Sequence, residues 1–287
     1  MMRLTGRRRA AAGRDSEDRL YRSRLDRTIM TTLLIAMAVL WLVPIASAID
    51  RALVFNGWRN FSEVITGDIG GITLWQTYWN SFAIAALHAV MVIAVSSLAG
   101  YGFAKFEFRG KELMYYVTLV FLAVPATSVL VPLFFITREL DLRDTYLGVA
   151  MAEASLTMPF GVLLMRNFAD TIPDTYIEAA SMDGASHLRT FSGVFLPMSR
   201  PALLSLGSLS VMWSLQDFLF PALLLSDHGK TTAAQAVFRF KEYLAVTPDD
   251  IGKYNASLVL LAVPALVVVV ASLRFITRGL AAGGIKE

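Results

Sequence analysis

Cysteine is absent from this chain of 287 residues. Its absence removes disulfides, thiolate metal sites, iron–sulfur clusters and cysteine nucleophiles in one step. Histidine is nearly absent too: His88, His187 and His228 lie far apart, so no metal ligand set is assigned. Charged residues make up 17% of the chain, against about 25% in ordinary soluble proteins. The sequence carries neither a Gly-x-Ser-x-Gly elbow nor a His-Glu-x-x-His helix, so no hydrolase chemistry is visible. Gly229-Lys230-Thr231 has the ending of a phosphate-binding loop, but Leu224 stands where that motif needs its first glycine. No nucleotide site, bound cofactor or enzyme activity is therefore expected of this chain.

What is present in excess is apolar residue, 55% of the total. A helix needs about 20 mostly apolar residues to cross the hydrocarbon of a bilayer. Six stretches meet that requirement: Ile29 to Ile49, Tyr78 to Ala104, Leu113 to Thr137, Thr145 to Met165, Pro201 to Ser226 and Asn255 to Leu273. Four of them contain no Asp, Glu, Lys or Arg. The reading is an all-α polytopic membrane protein with six transmembrane helices. Prolines in five of the six stretches suit helices that bend inside a packed bundle. Trp41, Tyr78, Trp79, Tyr115 and Tyr116 near span ends read as interfacial anchors.

The basic residues give these spans a direction. With a cytoplasmic N-terminus, 18 basic residues fall inside and eight outside, whereas the acids divide almost evenly. That bias places both termini in the cytoplasm. It also reads the Arg-rich start as a flank for the inner leaflet rather than a nucleic-acid arm. Ala46-Ser47-Ala48 after the first apolar run resembles a signal-peptide cleavage site, but the run is long and five more spans follow, so an uncleaved first helix is expected.

One inner loop is long, residues 166–200. Pro173 suits the first turn of a helix, Asp174 and Glu178 lie near its positive end, and Gly184 supplies a stop, which predicts a short helix from about Pro173 to Asp183. Leu188, Phe191 and Phe195 then make one apolar stripe, interrupted by Pro197. Periodicity alone leaves a solvated connector and a docking surface equally open.

The residues of this loop resemble a known family. Glu178-Ala179-Ala180, Asp183-Gly184-Ala185, Val194 and Leu196-Pro197 are similar in identity and spacing to the EAA loop of inner-membrane permease subunits of binding-protein-dependent ABC importers, with Val194 in place of the usual Ile. Asn80-Ser81, Tyr101 to Phe106, Phe108 to Lys111, Pro125, Pro132, Leu140 to Thr145 and the tail from Arg274 to Lys286 are similar to the carbohydrate-uptake branch, the subunit type of the second maltose permease. The resemblance implies a type I ABC importer permease fold, a homologous permease partner, two ATPase subunits that use the ATP, an extracytoplasmic solute-binding protein, and the bacterial cytoplasmic (inner) membrane. It implies that Glu178, Ala179, Ala180, Asp183, Gly184, Leu196 and Pro197 couple to the ATPase: a polar contact from Glu178, close packing at the alanines, the turn at Gly184. The organisation expected is an N-terminal arm (1–28), a permease domain (29–276) holding the coupling loop, and a C-terminal tail (277–287).

Two acids lie inside spans, Glu153 and Asp217. Ionisable groups there are costly and usually face a cavity or a partner. Both fall in the outer half of their spans, within reach of one polar layer. Gln216-Asp217-Phe218-Leu219-Phe220-Pro221 is similar to a family segment, with Leu215 where a Trp is usual. Glu153, Gln216, Asp217 and Asn80 are therefore candidates for the substrate pathway, since carboxylates and amides suit sugar hydroxyls. The competing reading is that they join the permease halves or satisfy helix breaks. The expected function is import of sugars or sugar-like solutes. The alternatives are a glycerol-phosphate-type ester, or a proton-coupled transporter using the two acids as a relay.

Overall fold

The structure, a computed structural model, describes residues 24–244 and 247–284. The first 23 residues of the N-terminal arm, and most of the C-terminal motif as a set of side chains, lie outside what it describes. The chain divides into two compact units, residues 1–51 and 52–287. The first contributes all but the last residue of α1 (Arg24–Ala52), whose large apolar side chains from Leu25 to Ile49 are exposed. Such a surface suits lipid or another helix, not water.

The second unit begins with α2 (Arg59–Thr66) and a hairpin of β1 (Asp68–Ile69) and β2 (Ile72–Thr73), paired Asp68 to Thr73 and Ile69 to Ile72. α3 (Leu74–Lys105) starts where the Thr73 hydroxyl accepts the Gln76 N–H, a side-chain cap on an orphan donor. α4 (Lys111–Val120) and α5 (Ala126–Glu139) follow, then α6 (Tyr146–Thr171), capped by Thr145 on Gly148. The inner segment holds α7 (Asp174–Met182), α8 (His187–Thr190), a π-helical turn over Phe191–Phe195, and α9 (Leu196–Met198). α10 (Arg200–Gln216), α11 (Leu219–Leu224), α12 (Ala233–Leu244) and α13 (Pro248–Gly284) complete the order.

Among the described residues four helices are long and apolar enough to cross a membrane unbroken, and up to six if each of two bent pairs is one span. The third run turns by 107° between Ala123 and Ala126. Pro125 explains the break, because its ring pushes the preceding residue out of the helical region, and Val124 is extended at ψ 120°. The fifth run begins just after a 77° bend at Ser199, where the inner segment meets α10, and its helix stops at Gln216, well before Ser226. Asp217 and Phe218 are non-helical there, and α11 starts afresh.

α3 and α6 pack closely enough that two glycines face side chains of the other helix directly. A Cβ on Gly161 would lie 2.2 Å from Ser96 Oγ, and one on Gly100 would lie 2.5 Å from Met165 Cβ. In lipid, small residues at such crossings supply the van der Waals contact that the hydrophobic effect does not. Gly161→Ala should cost about 1–3 kcal/mol by overpacking. Thermal unfolding of the solubilised protein should show the loss, and Ser96→Gly should restore much of it. An unchanged midpoint for the single variant would mean the helices yield at no cost.

Two of the expected interfacial aromatics are packing residues instead. The Tyr78 hydroxyl donates to the Leu260 carbonyl, and Tyr115 is buried with the Arg166 guanidinium 3.8 Å above its ring. Trp41 and Trp79 are exposed, as anchors would be.

Candidate functional site

Two regions hold all but one of the residues singled out in the sequence. The first is a pocket of about 220 Å³ between α3, α6, α10 and α11, lined by His88, Glu153, Thr157, Trp213, Gln216 and Asp217 among others. Glu153 projects from α6 and is 5% exposed, with Ser214 and Asp217 beside its carboxyl group. Asp217 sits at the break after α10. Its Oδ1 accepts the Leu219 N–H at 2.9 Å and its Oδ2 the Phe220 N–H at 3.4 Å, so it caps the short α11. Three of the four pathway candidates thus meet at one place.

Asn80 does not join them. Its amide nitrogen donates to the carbonyls of Gly229 (2.8 Å) and Thr231 (2.9 Å), and its oxygen accepts the Tyr146 hydroxyl at 2.6 Å. A fully committed, buried amide is a fastener for the loop after α11, and its hydrogen-bonding capacity is spent on this chain. The same loop is held by Asp144, whose Oδ1 accepts the Ser226 and Asp227 N–H groups at 3.0 and 3.2 Å. Partial burial works against the Asp144 charge, yet these amides and the Lys230 ammonium hold its carboxyl below its ordinary range. Lys230 of the apparent phosphate-loop tripeptide is therefore occupied: it donates to the Asp144 carbonyl at 2.6 Å.

Sequence reasoning did not single out His88, although it is one of three histidines and lies inside a span. The structure buries it completely, with Nδ1 3.0 Å from the Ser210 carbonyl and Nε2 2.7 Å from Thr157 Oγ1. A carbonyl can only accept, so Nδ1 carries the hydrogen. His88 thereby ties α3 to both α6 and α10 at the pocket wall. Trp213 was also missed, since nothing in the spacing of one Trp on an apolar helix tells a pocket wall from a lipid contact.

The second region is the inner segment. α7 covers the expected helix, and Gly184 has φ +76°, a left-handed turn that favours glycine. The Gly184 N–H donates to the Ser181 carbonyl and that of Ala185 to the Ala180 carbonyl, closing the end of α7. Glu178, Ala179, Asp183 and Pro197 are exposed, whereas Ala180 and Leu196 are half-buried. The apolar stripe beyond the glycine divides: Phe191 and Phe195 are buried, but Leu188 is 72% exposed. The π-helical turn shifts the helix register, so Leu188 points away from the two rings, and Pro197 begins the next helical stretch instead of ending one.

The segment is fixed to the end of α3. Tyr101 packs on Phe191 and Phe195 with ring centroids 5.4 and 4.8 Å apart, and Phe106 meets His187 edge-on. The Lys105 ammonium donates to the Ile172 carbonyl and to Asp174 Oδ1, both at 2.7 Å. It bridges the end of α6 and the start of α7. Held from beneath in this way, Tyr176, Met182 and Leu188 stand exposed, an apolar surface on a supported base.

Residues 93–282 match the family described as binding-protein-dependent transport system inner membrane component. The osmoprotective compounds uptake permease protein of Synechocystis sp. is 27% identical over 271 residues, covering 88% of this chain and 90% of that protein. The trehalose/maltose transport system permease protein of Thermococcus litoralis is 28% identical, over 72% of this chain and 74% of that one. A solved bacterial ABC transporter involved in the import of the acidic polysaccharide alginate has the same fold, with a TM-score of 0.71 at 18% identity, over 88% of this chain and 98% of that chain. This multi-pass chain therefore belongs to the binding-protein-dependent transport system inner membrane components, the permease subunits of ABC importers, and is a transport component similar to the carbohydrate-uptake branch, not an enzyme.

Proposed function

We propose that this chain forms one half of the translocation pathway of an ATP-driven importer of neutral sugars or sugar-like solutes. A homologous permease supplies the other half, two ATPase subunits dock beneath, and an extracytoplasmic binding protein delivers the cargo. In this reading the chain crosses the bacterial cytoplasmic (inner) membrane six times with both termini inside. The Arg-rich arm and the tail flank the permease domain, and the only nucleotide is the ATP held by the partner.

The observation that carries the coupling is the pair α7 and α8 joined at Gly184, braced on one side by Tyr101, Lys105 and Phe106 at the end of α3 and bare on the other. A braced pair of helices transmits the push of a closing ATPase better than a flexible strand. Glu178 supplies the polar contact, Ala179 and Ala180 the close approach, Asp183 and Gly184 the turn, and Leu196 and Pro197 the start of the path back into the membrane. Glu153, Gln216 and Asp217 line the cargo route, a placement supported by their common pocket. Among the described residues that pocket has no Lys or Arg in its wall, which favours a neutral cargo over a glycerol-phosphate-type ester.

The two acids in one pocket would also suit a proton relay, so the test separates the energy sources. Uptake is measured in vesicles carrying this chain, its permease partner, the ATPase and the binding protein. Loss of the ATPase subunit should abolish uptake, and a protonophore at constant ATP should leave it unchanged. Uptake that survives without the ATPase and collapses with the protonophore would establish the secondary transporter instead.

A further inference from the structure

We infer that the groove between the inner half of α3, the π-helical turn and α10 holds one acyl chain of an anionic phospholipid, whose phosphate pairs with Arg200. Such a site needs neither the cargo nor the energy source proposed above.

The groove has a volume of about 420 Å³ and shares no lining residue with the pocket at Glu153. Val90, Ala94 and Leu98 recur at every fourth residue and so stand in one row along α3. At 1.5 Å per residue the row runs for about 12 Å, from the middle of that helix towards its inner end. Ala94 makes the low point, since Val90 and Leu98 on either side of it are larger and are 66% and 55% exposed. Phe191 and Leu196 of the inner segment and Leu203 of α10 complete the wall. The trough therefore follows the helix, as a lipid chain does.

The lining settles the chemistry of the occupant. Every wall side chain is hydrocarbon except Ser97, and the Ser97 hydroxyl is turned back to the Ala94 carbonyl of its own helix at 3.1 Å. A polar molecule would give up its water there and gain no hydrogen bond in return. A hydrocarbon chain gives up nothing.

The mouth settles what that hydrocarbon is attached to. Arg200 is the first residue of α10, one turn before Leu203 on the same side of the helix, and it is exposed. Among the described residues it has no ion pair. Between Asp183 and Asp217 the sequence holds Arg189 and Arg200 but no acid, so the approach to the groove is positive. A basic site between membrane helices, at the level where they leave the hydrocarbon, attracts a lipid phosphate. A neighbouring protein helix would also fill the trough, yet it leaves the cation at the mouth without a role. An anionic lipid uses both.

The test takes the whole importer, reconstituted in vesicles of phosphatidylcholine and phosphatidylglycerol, with a trace of either lipid carrying a photoreactive diazirine in one acyl chain. After illumination, peptide mass spectrometry maps the label, normalised to that on the whole chain. The phosphatidylglycerol probe is expected to label the peptides holding residues 90–98 and 191–203, and the phosphatidylcholine probe to label them about fivefold less. Arg200→Gln should lower the first signal to the second. Ala94→Phe, which fills the trough from an exposed position, should remove both. Equal labelling by the two probes, or labelling unchanged in either variant, would overturn the lipid site. So would a groove free of label, and a photoreactive amino acid at Val90 that joined to the partner permease would then identify a helix as the occupant. All of these readouts concern lipid contact and not transport, so the proposed function stands or falls separately, on loss of the ATPase.

Discussion

Gly184→Pro is expected to leave the protein in the membrane while uptake and cargo-stimulated ATP hydrolysis fall to background. Proline fixes φ near −65° and removes the N–H, whereas Gly184 sits at φ +76° and donates that N–H to the Ser181 carbonyl. The preceding residue is also driven out of the helical region, which undoes the end of α7 at Asp183. A local cost of about 3 kcal/mol or more follows, paid in a surface segment where no buried contact is broken. A Cβ at position 184 meets nothing within 4 Å, so Gly184→Ala bears only the left-handed strain of about 1–2 kcal/mol and should retain part of the uptake. Gly184→Asp should be the informative intermediate. Aspartate tolerates the left-handed region better than most residues, so its loss of uptake would report the added charge at the docking face. Normal uptake by the proline variant would remove the inner segment from the coupling path.

Lys105→Met should reduce uptake about tenfold while the assembled complex still hydrolyses ATP. The Lys105 side chain is 7% exposed, although its partner Asp174 is mostly in water, so the ion pair itself is worth little. The larger part of the latch is the bond to the Ile172 carbonyl, a buried acceptor at the end of α6. Leaving that acceptor unsatisfied costs about 1–3 kcal/mol. Methionine keeps the apolar stem against its neighbours, so the loss is confined to the link between α3, α6 and α7. Slack in that link separates hydrolysis from movement of the membrane helices. Lys105→Arg should recover a good part of the uptake, because a cation is restored within reach of both acceptors. Parallel measurement of uptake and hydrolysis distinguishes this positioning role from simple instability, which would lower both together. Equal loss of the two in Lys105→Met, with no recovery in Lys105→Arg, would refute the latch.

The inner segment shows how much local pattern can convey. Pro173, Asp174 in the first turn and Gly184 fix where α7 begins and ends, because capping and left-handed turns depend on residues only a few positions apart. The stripe beyond it was read less well. Leu188 fits the spacing of Phe191 and Phe195, but a π-helical turn changes the angle per residue, and its exposure follows from that turn. The same limit applies to the third run, where Pro125 was visible yet the 107° turn it permits was not. A proline says where a helix is able to break. Its neighbours in space decide how far it bends.

By itself the sequence determined that this is a helical membrane protein without thiol chemistry, since apolar runs, missing cysteine and the flanking charges are properties of the chain alone. It also marked Glu153 and Asp217 as anomalies, because a charge inside an apolar run is costly wherever the helix packs. The tertiary structure alone decided which anomalies meet. Asn80 and Asp217 are both polar groups in apolar surroundings, yet one is consumed by the loop at Gly229 and Thr231 while the other opens on a pocket with Glu153. His88 and Lys105 acquired their places through partners 69 and 67 residues or more away. No periodicity records such separations, because they are set by helix crossings, which depend on close approach at small residues such as Gly100 and Gly161 and not on the local pattern around the residues that finally touch.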